Sequence, residues 1–191
     1  MVGWLLMASA AARVGVGAVG SVGLPVGIPE LQPHGGAGML CGGVDVALLL
    51  SEDEARKKKP NRYHPNRSRF VLAGMSCGQG SGRSVFAGGV GPGAQWGGRK
   101  TYTTAHMVLG VASLRAESGA LLYEEVGFWL RPRISVGAQL SSALAVEIGP
   151  SIQAFMPLVT RSVGVPPSGE VKAIIGVDMT VLLGSAAPKP W

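Results

Sequence analysis

From Phe128 to Leu183 the chain alternates with a period of two, and few folds tolerate that pattern for so long. Phe128, Leu130, Pro132, Ile134, Val136, Ala138 and Leu140 fall on one side, against Trp129, Arg131, Arg133, Ser135, Gly137 and Gln139. After Ser141-Ser142-Ala143 the pattern resumes, with Leu144, Val146, Ile148, Ile152, Ala154, Met156 and Leu158 opposing Ala145, Glu147, Gly149, Ser151, Gln153 and Phe155. A third run sets Val171, Ala173, Ile175, Val177, Met179, Val181 and Leu183 against Lys172, Ile174, Gly176, Asp178, Thr180 and Leu182. Helical spacing would mix these sets, whereas a strand puts alternate residues on opposite faces. This half of the chain reads as long β-strands.

The earlier half is noisier but similar. Strands are expected near Arg13–Leu24, Met39–Leu50, Arg69–Cys77, Ser84–Trp96 and Thr103–Arg115, which makes about eight. The connections Pro29–Gly38, Gly78–Arg83, Gly97–Lys100, Glu117–Gly119 and Thr160–Gly169 are rich in Gly, Pro and Ser, and Ser51–Ser68 is a long charged connection. Leu121–Val126 fits either a connection or the front of the sixth strand. The expected architecture is all-β, with residues 13–184 as one domain and 185–191 as a loose tail. No run of 18 uninterrupted apolar residues suggests a transmembrane helix.

Alternation suits both a soluble β-sandwich and an antiparallel up-and-down barrel, since each has one apolar face. The second face discriminates. A water-facing sheet needs charge, yet only 15% of residues are charged while 47% are hydrophobic. The second face is mainly Gly, Ser, Ala and Gln with sparse ions of both signs, which fits the crowded lumen of a narrow barrel. Aromatic residues, at 6%, are sparse for the interfacial girdles of a membrane barrel.

The pattern resembles the small eight-stranded outer-membrane barrels of Gram-negative bacteria, and most strongly over 128–183. The resemblance implies an outer-membrane location, lipid around the barrel, and a structural or surface role with loops meeting an envelope partner. A periplasmic or secreted β-sandwich binding module is the alternative, and a barrel with a ligand or hydrolytic site at its rim is a third reading. Trp191 lies eight residues beyond Leu183, past Pro188 and Pro190, whereas such barrels often end on an aromatic residue closing the last strand. The connection Ser51–Ser68 would fall on the side where such barrels have short turns. Residues 1–12 read as a signal-peptide remnant, with Ala8-Ser9-Ala10 as a cleavage site, or as the start of the first strand.

The motifs that suggest chemistry have simpler readings. Gly15-Val16-Gly17-Ala18-Val19-Gly20 matches the dinucleotide fingerprint, but Gly23 and Pro25 spoil the helix that must follow, so a glycine-rich strand is expected. Gly78–Ser84 resembles a phosphate loop but has no lysine before the serine. His34, His64 and His106 show no metal-ligand spacing, and Ser113 lies on the opposite strand face from His106, which is poor geometry for a nucleophile and its base. No enzyme activity, cofactor or metal is expected. The net charge of +6 is local: Arg56, Lys57, Lys58, Lys59, Arg62, Arg67 and Arg69 follow Glu52-Asp53-Glu54. With only Tyr63 and Phe70 nearby, this reads as a solvated loop and not as a nucleic-acid platform.

If the barrel closes, Arg13, Asp45, Arg131, Arg133, Glu147, Lys172 and Asp178 point into the lumen as an ion-pair network. Keeping the odd residues of the sixth and seventh strands on one face pairs Gln139 with Ala145 and Arg133 with Ser151. Glu147 must then find its counter-charge on another strand. Cys41 and Cys77 both fall on the inward register at similar distances from the charged connection. They are expected either to form a disulfide or to remain two unpaired thiols.

Overall fold

A computed structural model describes residues 12–26, 38–50, 67–78, 83–97, 100–118, 121–163 and 172–184. Eight strands make up the fold: β1 (Ala12–Val26), β2 (Met39–Leu50), β3 (Arg67–Gly78), β4 (Arg83–Gly97), β5 (Thr101–Ser118), β6 (Leu121–Gln139), β7 (Leu144–Val163) and β8 (Lys172–Gly184). Each pairs antiparallel with its neighbour, and β8 closes on β1. A two-sheet sandwich is therefore not formed, and the closed sheet has no edge along its paired length.

The register around the wall ties the sequence pattern to the shape. Following hydrogen-bonded partners from Val16 gives Val46, Leu72, Val90, Leu109, Leu130, Ala154 and Ala173, and returns to β1 at Val26. The path comes back ten residues further along β1, the stagger that tilted strands need for closure. Every residue on this path is apolar and faces outward. Val16, Leu72 and Leu109 remain about half exposed on the isolated chain, while Asp45, Arg131 and Glu147 are buried. The usual arrangement of a water-soluble protein is turned inside out.

With eight strands, both termini of the barrel lie at one rim, together with the connections after β2, β4 and β6. The connection after β2 does fall on that side, as the sequence suggests. The hairpins β1–β2, β3–β4, β5–β6 and β7–β8 lie at the opposite rim, called the hairpin rim below. Strands β5, β6 and β7 are the longest, and at the hairpin rim β6 and β7 pair as far as Leu122–Val163.

Several expected boundaries need correction. Of the two readings of Leu121–Val126, the front of β6 is the one that holds, so β6 starts seven residues before Phe128; the expected connections are shorter, with Glu117 in β5 and Thr160 in β7. A register shift at Val126/Gly127 leaves Leu158 without a partner on β6, and pairing resumes at Val126–Val159. The bulge shifts the phase of the alternation on β7, so that Leu158 and Val159 both face outward. Arg67 and Ser68 open β3 instead of ending a loop, and Arg69 is buried, not solvated. The expected pairs Gln139–Ala145 and Arg133–Ser151 are both present, and the Gly15–Gly20 motif is strand throughout. Residues 1–11, the basic stretch 56–62, His34, His64, 79–82, 164–171 and 185–191 lie outside the described residues.

Candidate functional site

The lumen is the site, because that is where polar side chains converge. A barrel of eight strands leaves an interior just wide enough for side chains to fill, and strand β6 displays the filling in order. From the hairpin rim inward it presents Tyr123, Glu125, Trp129, Arg131, Arg133 and Ser135, all buried. Alternation on a single strand thus supplies an ionic cap, an apolar layer and an ionic centre.

In the centre, Arg131 donates to Asp45 Oδ1 at 3.0 Å and to Asp178 Oδ2 at 2.6 Å. Arg133 donates to Thr180 Oγ1 at 2.6 Å and to Asp45 Oδ2 at 3.5 Å. Ser151 donates its hydroxyl to Asp178 Oδ1 at 2.6 Å. Below this cluster, Arg69 Nη1 meets Glu147 Oε1 at 2.7 Å, and the Tyr102 hydroxyl donates to the same oxygen at 3.2 Å. The Tyr102 ring lies over Gly137, its directly opposed partner, where any Cβ would clash with the ring. Thr104 and Ser135 hydroxyls join at 2.7 Å.

Nearer the hairpin rim, Trp129, Phe155, Ile174, Met39 and Met75 form the apolar layer. Cys41 and Cys77 lie within it, directly opposed across β2–β3 and joined as a disulfide with Cα atoms 3.9 Å apart. Above the layer, Lys172 donates to Tyr123 and to Glu125, with its ammonium 4.4 Å from the Tyr123 ring centroid.

Charged groups are rarely buried unless paired, since an uncompensated ion in a dry interior costs several kcal/mol. The arrangement meets this demand. Among the described residues, the buried cations Arg69, Arg131, Arg133 and Lys172 are matched by Asp45, Glu125, Glu147 and Asp178. Six of the seven sequence-nominated charges are found here. For Arg13 only the backbone is described, paired with Leu49. Arg69, Glu125, Tyr102, Tyr123 and Thr180 are members that the sequence reading did not nominate. Arg69 shares the parity of Cys77 along the third strand, and that inward register was the signal available.

His106 is buried opposite Arg133, and Ser113 lies on the other face, pairing with Val126. Among the described residues no three His, Cys, Asp or Glu side chains are grouped so as to hold a metal. A shallow outward groove of about 450 Å³ runs past Pro92, Ala94, Ala105, Met107, Pro132 and Ile134. Both prolines lie in mid-strand and face away from the lumen.

No family model matches the chain, and no curated protein is similar to it in sequence. Among solved structures, Neisserial surface protein A (NspA) superposes with a TM-score of 0.50 at 8% identity, over 89% of this chain and 96% of that one. The enduracididine biosynthesis enzyme MppR (TM-score 0.20, 15% identity, 90% and 87% covered) carries no argument. Nor does an acetoacetate decarboxylase-like enzyme from Sphingomonas wittichii RW1 (0.19, 13%, 94% and 93%). What this chain shares with the Neisserial protein is the fold, a small eight-stranded antiparallel barrel.

Proposed function

We propose that the chain is an outer-membrane barrel that is closed to solutes and offers its loops as the interaction surface. The carrying observation is the inversion of polarity: an apolar belt follows the register around the whole wall, while matched ions fill the inside. A belt of that kind is stable only against hydrocarbon, and a closed barrel is one of two ways for a backbone to cross a bilayer with its polar groups satisfied. The filling supports a structural or surface role over transport, because Arg131, Trp129 and Lys172 occupy successive levels of the one available path. No catalytic role is assigned, since the histidine and serine that could have cooperated point to opposite faces.

Planar-bilayer recording of the refolded protein tests the closed lumen. The expected trace is silent, with no discrete current steps at moderate voltage. Stable steps from the wild-type protein would replace this reading with that of a channel.

A further inference from the structure

The outward face of β5 changes character in steps as it approaches the rim that carries the termini. Met107 comes first, then Ala105, Thr103 and Thr101, with Lys100 exposed immediately before the strand begins. The ladders set Met107 beside Pro132, Ala94 beside Ala105, and Trp96 beside Thr103. Two opposed alanines between the larger Met107 and Ile134 leave the wall low, and the apolar groove of about 450 Å³ lies there. Nearer the rim come the outward indole of Trp96 and two threonines, and at the rim itself an ammonium. The Lys100 carbonyl accepts from the Gln139 amide at 2.8 Å, so this cation sits on backbone tied to the end of β6. On β7, β8 and β1 the outward residues at the same rim, Leu144, Leu183 and Val14, stay apolar.

We propose that this file binds one anionic phospholipid in the leaflet at the termini rim, with an acyl chain in the groove and the phosphate at Lys100. The inference rests on the membrane reading above. The residues follow the order of the parts of such a lipid: apolar for the chain, Trp and Thr for the glycerol esters, and Lys for the phosphate. The length agrees as well. From Lys100 to Met107 is about 23 Å along the strand, or about 17 Å along the axis of a barrel whose strands tilt by about 40°. Half of a hydrocarbon core is about 15 Å, so the groove ends near the membrane midplane when Lys100 lies among the headgroups. An indole suits the depth between them, where an apolar body meets a wet rim. Among the described residues no carboxylate faces outward at this rim, and a cation there favours an anionic headgroup over a zwitterionic one.

The test is lipid retention on the refolded full chain, read by native mass spectrometry from nanodiscs of phosphatidylcholine doped with phosphatidylglycerol of the same acyl chains. Wild type should retain one phosphatidylglycerol preferentially. A94L/A105L fills the groove with apolar atoms and should lower retention of either lipid by about tenfold, the scale of about ten lost dispersion contacts. K100Q should reduce the preference for phosphatidylglycerol by about fivefold, the scale of one cation among headgroups, and leave phosphatidylcholine retention unchanged. G42L adds the same kind of bulk to the outward face of β2, where a Cβ meets nothing within 4 Å, and should behave as wild type. Equal retention by wild type and A94L/A105L, an equal loss in G42L, or an unchanged preference in K100Q overturns the proposal. So does displacement of the lipid by inorganic phosphate at the same concentration, which would identify a free anion as the ligand. Heat-modifiable gel mobility of each variant reports barrel formation separately. If wild type itself fails to enter nanodiscs, it is the membrane reading that fails.

Discussion

Arg131 on β6 and Asp45 on β2 are joined at 3.0 Å although their strands stand on opposite walls, four places apart in the ring of eight. Arg69 on β3 and Glu147 on β7 repeat the relationship at 2.7 Å. The two pairs cross the lumen along different diameters, so the ions brace the barrel as well as neutralising each other. Neighbouring strands are already held by ladder hydrogen bonds; only contacts of this kind fix walls that share none.

Removing one end of a strut should therefore cost far more than removing all of its charge. Arg131→Met leaves Asp45 and Asp178 short of their shared cation, and about 3–5 kcal/mol of stability should be lost. The double variant Arg131→Met/Asp45→Asn removes one charge of each sign and leaves Arg133 beside Asp178, so it should recover part of that loss. Urea unfolding in lipid vesicles, followed by tryptophan fluorescence, provides the comparison. A double variant less stable than the single one contradicts the account.

The two faces of a strand should respond differently to the same substitution. Val177→Arg and Ile148→Arg place a cation on the outward belt, at a cost of about 2–4 kcal/mol near the membrane midplane, and glutamine at either position should be milder. Gly176 faces inward, and a Cβ there would press on the Val22 carbonyl. Gly176→Gln and Gly176→Arg should therefore be similarly damaging, because crowding and not charge is responsible. Refolding yield measured by heat-modifiable mobility separates the patterns. Identical ranking of Lys, Arg and Gln on both faces would contradict the assignment of inside and outside.

The disulfide closes a loop that includes the long charged connection, with its cysteines 36 residues apart. In the chain-entropy model, closing such a loop stabilises by about 4 kcal/mol. Unfolded, unreduced protein should carry no reactive thiol. The Cys41→Ala/Cys77→Ala variant should unfold at lower urea, by an amount of that order, while still forming a barrel. Two thiols per chain in the labelling experiment would refute the pairing.

The parts of this structure legible in the sequence are those governed by period two. Arg131, Arg133 and Glu147 could be placed in the lumen because their neighbours at even positions are apolar, and the Gln139–Ala145 register followed from parity alone. Parity gives a face but not an azimuth. It put Arg69 inward, yet nothing along the chain indicates that β3 will stand opposite β7, so the Arg69–Glu147 strut was invisible. Glu125 was missed for another reason. Glu124 and Glu125 put charge on both faces of β6, and the contrast that identifies a strand disappears there. The bulge at Leu158 hid the end of β7 in the same way, by shifting the phase of the alternation before Arg161.

The most direct test of the central claim, that the apolar belt faces lipid, is fractionation of Gram-negative cells expressing the full chain. After alkaline carbonate washing and flotation, the protein should remain in the outer-membrane fraction. Unheated, it should migrate on gels as a compact form that converts to the unfolded position on boiling. Recovery in the soluble fraction with a single, heat-independent mobility would contradict the account.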